Sequence, residues 1–131
     1  MTPVTPLLAV AALLAQTTAA GIEGQWTNPS GSVTIRMAPC GAAYCGTVTQ
    51  ASDKAKADAA KGGTKELVGT ELLTGFTPDS KGNWSGRLFV PDIPIKTKAK
   101  LAQVGSDQLK VTGCSPSGLI CKSQVWTRSH G

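Results

Sequence analysis

The chain is poor in the residues that most often carry chemistry. It holds one histidine, His130, and aromatic side chains make up only 5% of its 131 residues. A lone histidine beside a terminus, where chains are usually mobile, gives no credible Ser-His-Asp or Cys-His arrangement. No charged side chain occurs in residues 1–20, and no later apolar stretch approaches the roughly 20 residues that a helix needs to cross about 30 Å of hydrocarbon. A helical anchor is therefore not expected. Internal repeats at solenoid or propeller periods are also missing.

What is present begins with an apolar run from Leu7 to Ala15, followed by small and hydroxyl residues up to Ala20. That is the shape of a secretory signal peptide, although no Lys or Arg precedes the run. Thr18 and Ala20 suit the small-residue positions of a cleavage site and place the mature start at Gly21. The expectation is a signal over residues 1–20 and one domain over residues 21–131, exported to the periplasm or secreted.

Cys40, Cys45, Cys114 and Cys121 all fall after that segment, and in an oxidising compartment an even count reads as disulfides. Three connectivities are open, and turn-like residues inside each close pair favour local pairing. A zinc site is disfavoured because C-x4-C and C-x6-C miss the usual knuckle spacing. The formal net charge of +5 either attracts an anionic surface or simply keeps the domain soluble.

Alternation of period two dominates after Gly24. Strands are expected over 24–27, 32–37, 44–49, 68–76, 83–90, 93–101, 108–113 and 119–128. Between the third and fourth, residues 51–63 are rich in Ala, Lys and Asp, and Ser52 can N-cap a short helix there. About eight short strands joined in chain order predict an all-β, small antiparallel up-and-down barrel with one short helical or loop insertion, placed beside the barrel or across its mouth.

Two sets of residues carry a resemblance. Gly24-Gln25-Trp26 with Arg128 resembles the G-x-W motif and last-strand arginine of lipocalin-like (calycin) barrels, which implies that Arg128 stacks on Trp26 and closes one end. More broadly, Pro39-Cys40-Gly41, Tyr44-Cys45-Gly46, Gly75-Phe76, Trp84-Ser85-Gly86-Arg87, Val111-Thr112-Gly113-Cys114 and Gln124-Val125-Trp126-Thr127-Arg128 occur in order after Gly24-Gln25-Trp26. Together they resemble the bacterial exported family DUF2147, a domain of unknown function whose fold is similar to a lipocalin barrel, over residues 22–128. The chain departs from that family where Ala55 to Lys65 and Ile93-Pro94-Ile95 replace an Asn-Pro-Asp-like stretch, an Arg-rich segment and a Gly-Lys-x-Tyr element.

The residues admit three kinds of chemistry. Trp84, Leu88 and Val90 on one strand and Ile95, Thr97 and Leu101 on the next can line a pocket for a small apolar ligand, or they can simply be packed core. Lys96, Lys98 and Lys100 alternate with them and extend sideways to Lys110, which makes a basic patch suited to anionic envelope lipid or polysaccharide, or merely a soluble face. A cross-strand carboxylate pair is the remaining route to hydrolysis, with Glu71 and Asp92 as its members, but surface charge is the expected role of the acids and the chain is read as non-enzymatic. Nothing in the residue pattern calls for a cofactor or metal. Nucleic acid is not expected as a partner, because no aromatics interleave with the lysines. Oligomeric state is not legible.

Overall fold

A computed structural model describes residues 21–129; the expected signal segment and His130 lie outside the described residues. Eight strands and one helix follow in order: β1 (Gly24–Thr27), β2 (Val33–Cys40), β3 (Ala43–Ala51), α1 (Asp53–Lys61), β4 (Glu71–Pro78), β5 (Trp84–Val90), β6 (Ile95–Gly105), β7 (Gln108–Cys114) and β8 (Cys121–Arg128). Each strand pairs antiparallel with the next, and β8 returns to β1 to close the barrel. The closing seam is short, pairing Trp26 with Arg128 and Thr27 with Thr127.

Three strands start two or three residues later than the sequence expectation. Val68 and Gly69 belong to a turn in which the Thr70 amide reaches the Leu67 carbonyl, so β4 begins at Glu71. Ile93 and Pro94 lie in the β5–β6 turn, where proline has no amide to give a ladder. Leu119 and Ile120 remain in the β7–β8 loop. There Ser115 Oγ accepts from the Ile120 amide and Ser117 Oγ from the Leu119 amide, and these bonds hold the turn open until Cys121. In each case the residues are apolar enough for a strand, and local hydrogen bonding or proline chemistry decides otherwise.

The turns divide the barrel into two ends. The β2–β3, β4–β5 and β6–β7 turns meet at one, and the β1–β2, β3–β4, β5–β6 and β7–β8 connections meet at the other. The first end is packed. Trp26, Ile35, Met37, Leu101 and Leu109 are wholly buried there, with Phe76 and Leu73 beside them. A register shift between Thr74 and Thr77, at Gly75, breaks the alternation of β4. Both disulfides are local: Cys40–Cys45 staples the β2–β3 hairpin at the packed end, and Cys114–Cys121 staples the β7–β8 hairpin at the other.

Arg128 seals the packed end. Its guanidinium carbon lies 4.3 Å from the Trp26 ring centroid. Its three nitrogens donate to the carbonyls of Ser106, Glu23 and Gly21 at 2.8–2.9 Å. Beneath it the Trp26 indole N–H donates to the Ile22 carbonyl at 2.9 Å. Gly24 makes room for the arginine: a Cβ there would sit 2.7 Å from Arg128 Nη1, and its φ of +128° is unfavourable for any other residue.

Helix α1 sits against the opposite end. Ser52 caps it by accepting from the Ala55 amide at 3.1 Å, as its sequence position suggests. Ala59 is buried, and the segment after the helix is fastened to the β5–β6 turn, where Thr64 Oγ1 donates to the Pro91 carbonyl at 2.9 Å. Gly62 lies so close to the Asp92 backbone that a side chain there would collide with it.

Candidate functional site

Packing fails to fill the half of the barrel nearest α1. An eight-stranded barrel has an interior just wide enough for side chains to fill or for one small ligand. At this end the inward positions carry short or polar side chains, including Thr97, Gly113 and Gln124, rather than the bulky residues of the packed end. Two adjoining cavities result, of about 620 Å³ and about 420 Å³, and both are walled by Leu88, Val90, Gln124 and Trp126. Trp126 is the deepest of these on β8 and is nearly buried; its indole N–H donates to Gln124 Oε1 at 3.1 Å.

The smaller cavity is bounded by Ile95, Thr97, Val111 and Ile120, with Lys122 at its rim. Thr97 is fixed by its hydroxyl, which donates to the Cys114 carbonyl. The larger cavity extends under α1, where Ala55, Leu67 and Leu72 face Asn28, Ser30 and Ser32 of the β1–β2 turn. Lys54 and Asp58 on α1 border it and form an ion pair of 2.8 Å. That shared hydrogen bond raises the Lys54 pKa and lowers the Asp58 pKa from their ordinary values.

Of the six candidate ligand residues, Leu88, Val90, Ile95 and Thr97 therefore meet on one cavity wall. Trp84 and Leu101 face each other across the β5–β6 ladder at the packed end, where Leu101 is core and Trp84 meets Tyr44 edge to face at 5.3 Å. The structure adds Val111, Gln124 and Trp126, which the sequence reading did not place in the pocket.

On the outer face, Lys96, Lys98 and Lys100 are exposed in a row along β6. Lys98 stands directly opposite Arg87 of β5, and Lys110 of β7 stands opposite Ala102. Like charges directly across an antiparallel pair repel. Among the described residues the ion pairs are Lys54–Asp58 and Arg128–Asp107, so none of these five cations has a carboxylate partner. Glu71 and Asp92 are both exposed at the open end, and of the two only Asp92 borders a cavity. No cluster of His, Cys, Asp and Glu among the described residues is placed to hold a metal ion.

The family model for DUF2147, described as an uncharacterized protein conserved in bacteria, matches residues 24–128. The chain belongs to this family. Comparison with curated proteins and with solved structures finds no match. The DUF2147 region thus runs from the first residue of β1 to the last of β8, so it takes in the whole barrel, both disulfides and the Trp26–Arg128 closure. No helix among the described residues is long and apolar enough to cross a membrane. The two disulfides fit an oxidising compartment.

Proposed function

We propose that this DUF2147 protein is an exported, non-catalytic, lipocalin-like binding protein that holds one small apolar or amphipathic molecule in the open end of its barrel. The observation that carries this reading is the contrast between a packed end and an open end within one ring of strands. Two adjoining cavities of about 620 and 420 Å³ fall in the range of roughly 300–1,000 Å³ typical of ligand sites. Their walls match an amphipathic occupant, with Leu88, Val111 and Trp126 available to an apolar body and Gln124 and Lys122 to a polar or anionic head. The signal-like residues 1–20 and the two disulfides support export.

Native mass spectrometry of protein purified from its host, together with titration of a fluorescent apolar probe, tests this. Expected is a bound species or saturable probe binding that Leu88→Trp, which fills the shared wall, weakens at least about tenfold. A wild-type protein that binds neither would sink the carrier reading. The non-catalytic part rests on paired cysteines, which leave no thiol, and on the lack of a histidine among residues 21–129. Any turnover abolished by Glu71→Gln or Asp92→Asn would overturn it.

A second reading has its own support in the five unpartnered cations of the outer face, which suit an anionic envelope lipid or polysaccharide. Binding that ignores salt and survives neutralisation of Lys96, Lys98, Lys100 and Lys110 would remove it.

A further inference from the structure

The rim of the open end carries apolar side chains that the chain does nothing to bury. Leu119 is 86% exposed, Ile120 65% and Ile93 58%. They sit on two turns that flank the same cavity, since Ile95 beside the first turn and Ile120 in the second both line it. These turns are not floppy tips. The β7–β8 loop is closed by the Cys114–Cys121 disulfide, by the Ser115 amide on the Ile120 carbonyl at 2.7 Å and by the Gly118 amide on the Ser115 carbonyl at 2.8 Å. A covalently and hydrogen-bonded frame thus holds two large apolar side chains in water.

The other side of the same loop faces two lysines. Between it and the outer face of β6 lies a groove of about 350 Å³ walled by Lys98, Lys100, Thr112, Ser115 and Ser117. Lys98 and Lys100 border this space and offer their charge to an anionic group, and Arg87 stands across from Lys98 with no carboxylate to offset it. Apolar tips above a groove bordered by unpaired lysines form the profile of an interfacial membrane surface: side chains enter the boundary of the acyl region while lysines remain at headgroup level. Asp92, the acid nearest Ile93 in sequence, borders the cavity under α1, away from this groove.

We infer that the β5–β6 and β7–β8 turns dock on an anionic phospholipid bilayer, with a lipid headgroup phosphate in the groove between Lys98, Lys100 and the β7–β8 loop. The inference extends the carrier reading, because docking in this orientation turns the cavity mouth toward the lipid from which an amphipathic ligand would come.

Flotation of the full chain with equimolar phosphatidylcholine–phosphatidylglycerol vesicles tests it, with pure phosphatidylcholine vesicles as the reference. Binding is expected only to the anionic vesicles and weakens as salt rises. Lys98→Gln with Lys100→Gln lowers affinity by about fivefold per lysine. Leu119→Asp with Ile120→Asp lowers it at least tenfold at constant salt; both sites are exposed, so the variant folds, and an unchanged circular dichroism spectrum verifies this. Equal binding to both vesicle types, or full binding by the aspartate variant, would overturn the inference. So would inorganic phosphate or a soluble anionic oligosaccharide that displaces the protein at charge parity with the lipid, which would mark a soluble-anion site. A wild-type dimer in sedimentation that the aspartate variant dissolves would assign the tips to a second copy and equally overturn it. Probe binding in lipid-free buffer is measured beside each variant. For the wild-type protein, flotation without probe binding counts against the carrier reading alone, and probe binding without flotation on anionic vesicles counts against docking alone.

Discussion

Arg128 joins three separate pieces of chain at one guanidinium: the Gly21–Glu23 entry segment, Trp26 on β1 and Ser106 in the β6–β7 turn. A fork of planar donors over an aromatic face is work that lysine cannot copy. Arg128→Lys is expected to cost about 1–2 kcal/mol and Arg128→Ala about 2–4 kcal/mol in urea unfolding, since cation-π stacking contributes about 1–2 kcal/mol and charged hydrogen bonds add to it. Gly24→Ala costs about 1–3 kcal/mol from strain at positive φ and from the collision with Arg128. Because part of that cost is the collision, the double variant Gly24→Ala with Arg128→Ala is less destabilised than the sum of the two; strict additivity in the double-mutant cycle would show that the contact is idle. This closure was legible because Trp26 and Arg128 carry a recognisable motif. Arg87 was not, because its meeting with Lys98 depends on the β5–β6 register, and no single strand reveals the charge opposite.

Strands read well wherever one face is dry and the other wet. β6 is such a case, with Thr97, Ala99 and Leu101 buried and Lys96, Lys98 and Lys100 exposed. β8 inverts the rule, because Gln124 and Lys122 point inward at an open mouth while Val125 is exposed outside. Trp84 shows the other limit: facing inward says nothing about height along the barrel, and its place at the packed end follows from strand stagger. At this scale the two hairpin staples separate cleanly. Serine pairs at Cys40–Cys45 or at Cys114–Cys121 are each expected to cost about 2 kcal/mol in thermal or urea unfolding. Only the second pair, which borders the smaller cavity, is expected also to change apolar-probe affinity. In α1 the Lys54–Asp58 bond is present above the ordinary carboxylate pKa and lost as pH falls through the lowered Asp58 value. On the alkaline side it is present below the ordinary lysine pKa and lost as pH rises through the raised Lys54 value. Amide protection in α1 should therefore be greatest at neutral pH, and Asp58→Asn should flatten that profile without moving the global unfolding midpoint, because the pair is exposed.

For the whole molecule, the ring is built almost entirely from neighbours in sequence. Every ladder but one joins consecutive strands. The exception is the seam between β1 and β8, which registers only Trp26 with Arg128 and Thr27 with Thr127. Contacts across such a separation carry the loop-closure cost of nearly the whole domain, and non-local pairing of this kind slows folding. The hairpins can form as the chain emerges, but the cylinder cannot shut until its final strand is available, and until then it is an open sheet with two bare edges. A chain cut after Gln124 should therefore show strand content by circular dichroism yet aggregate, and stopped-flow folding of the intact chain should slow with Arg128→Ala more than with the removal of either staple. Arg128 is thus also the timing element of assembly, because the seam it registers forms only once β8 is in place.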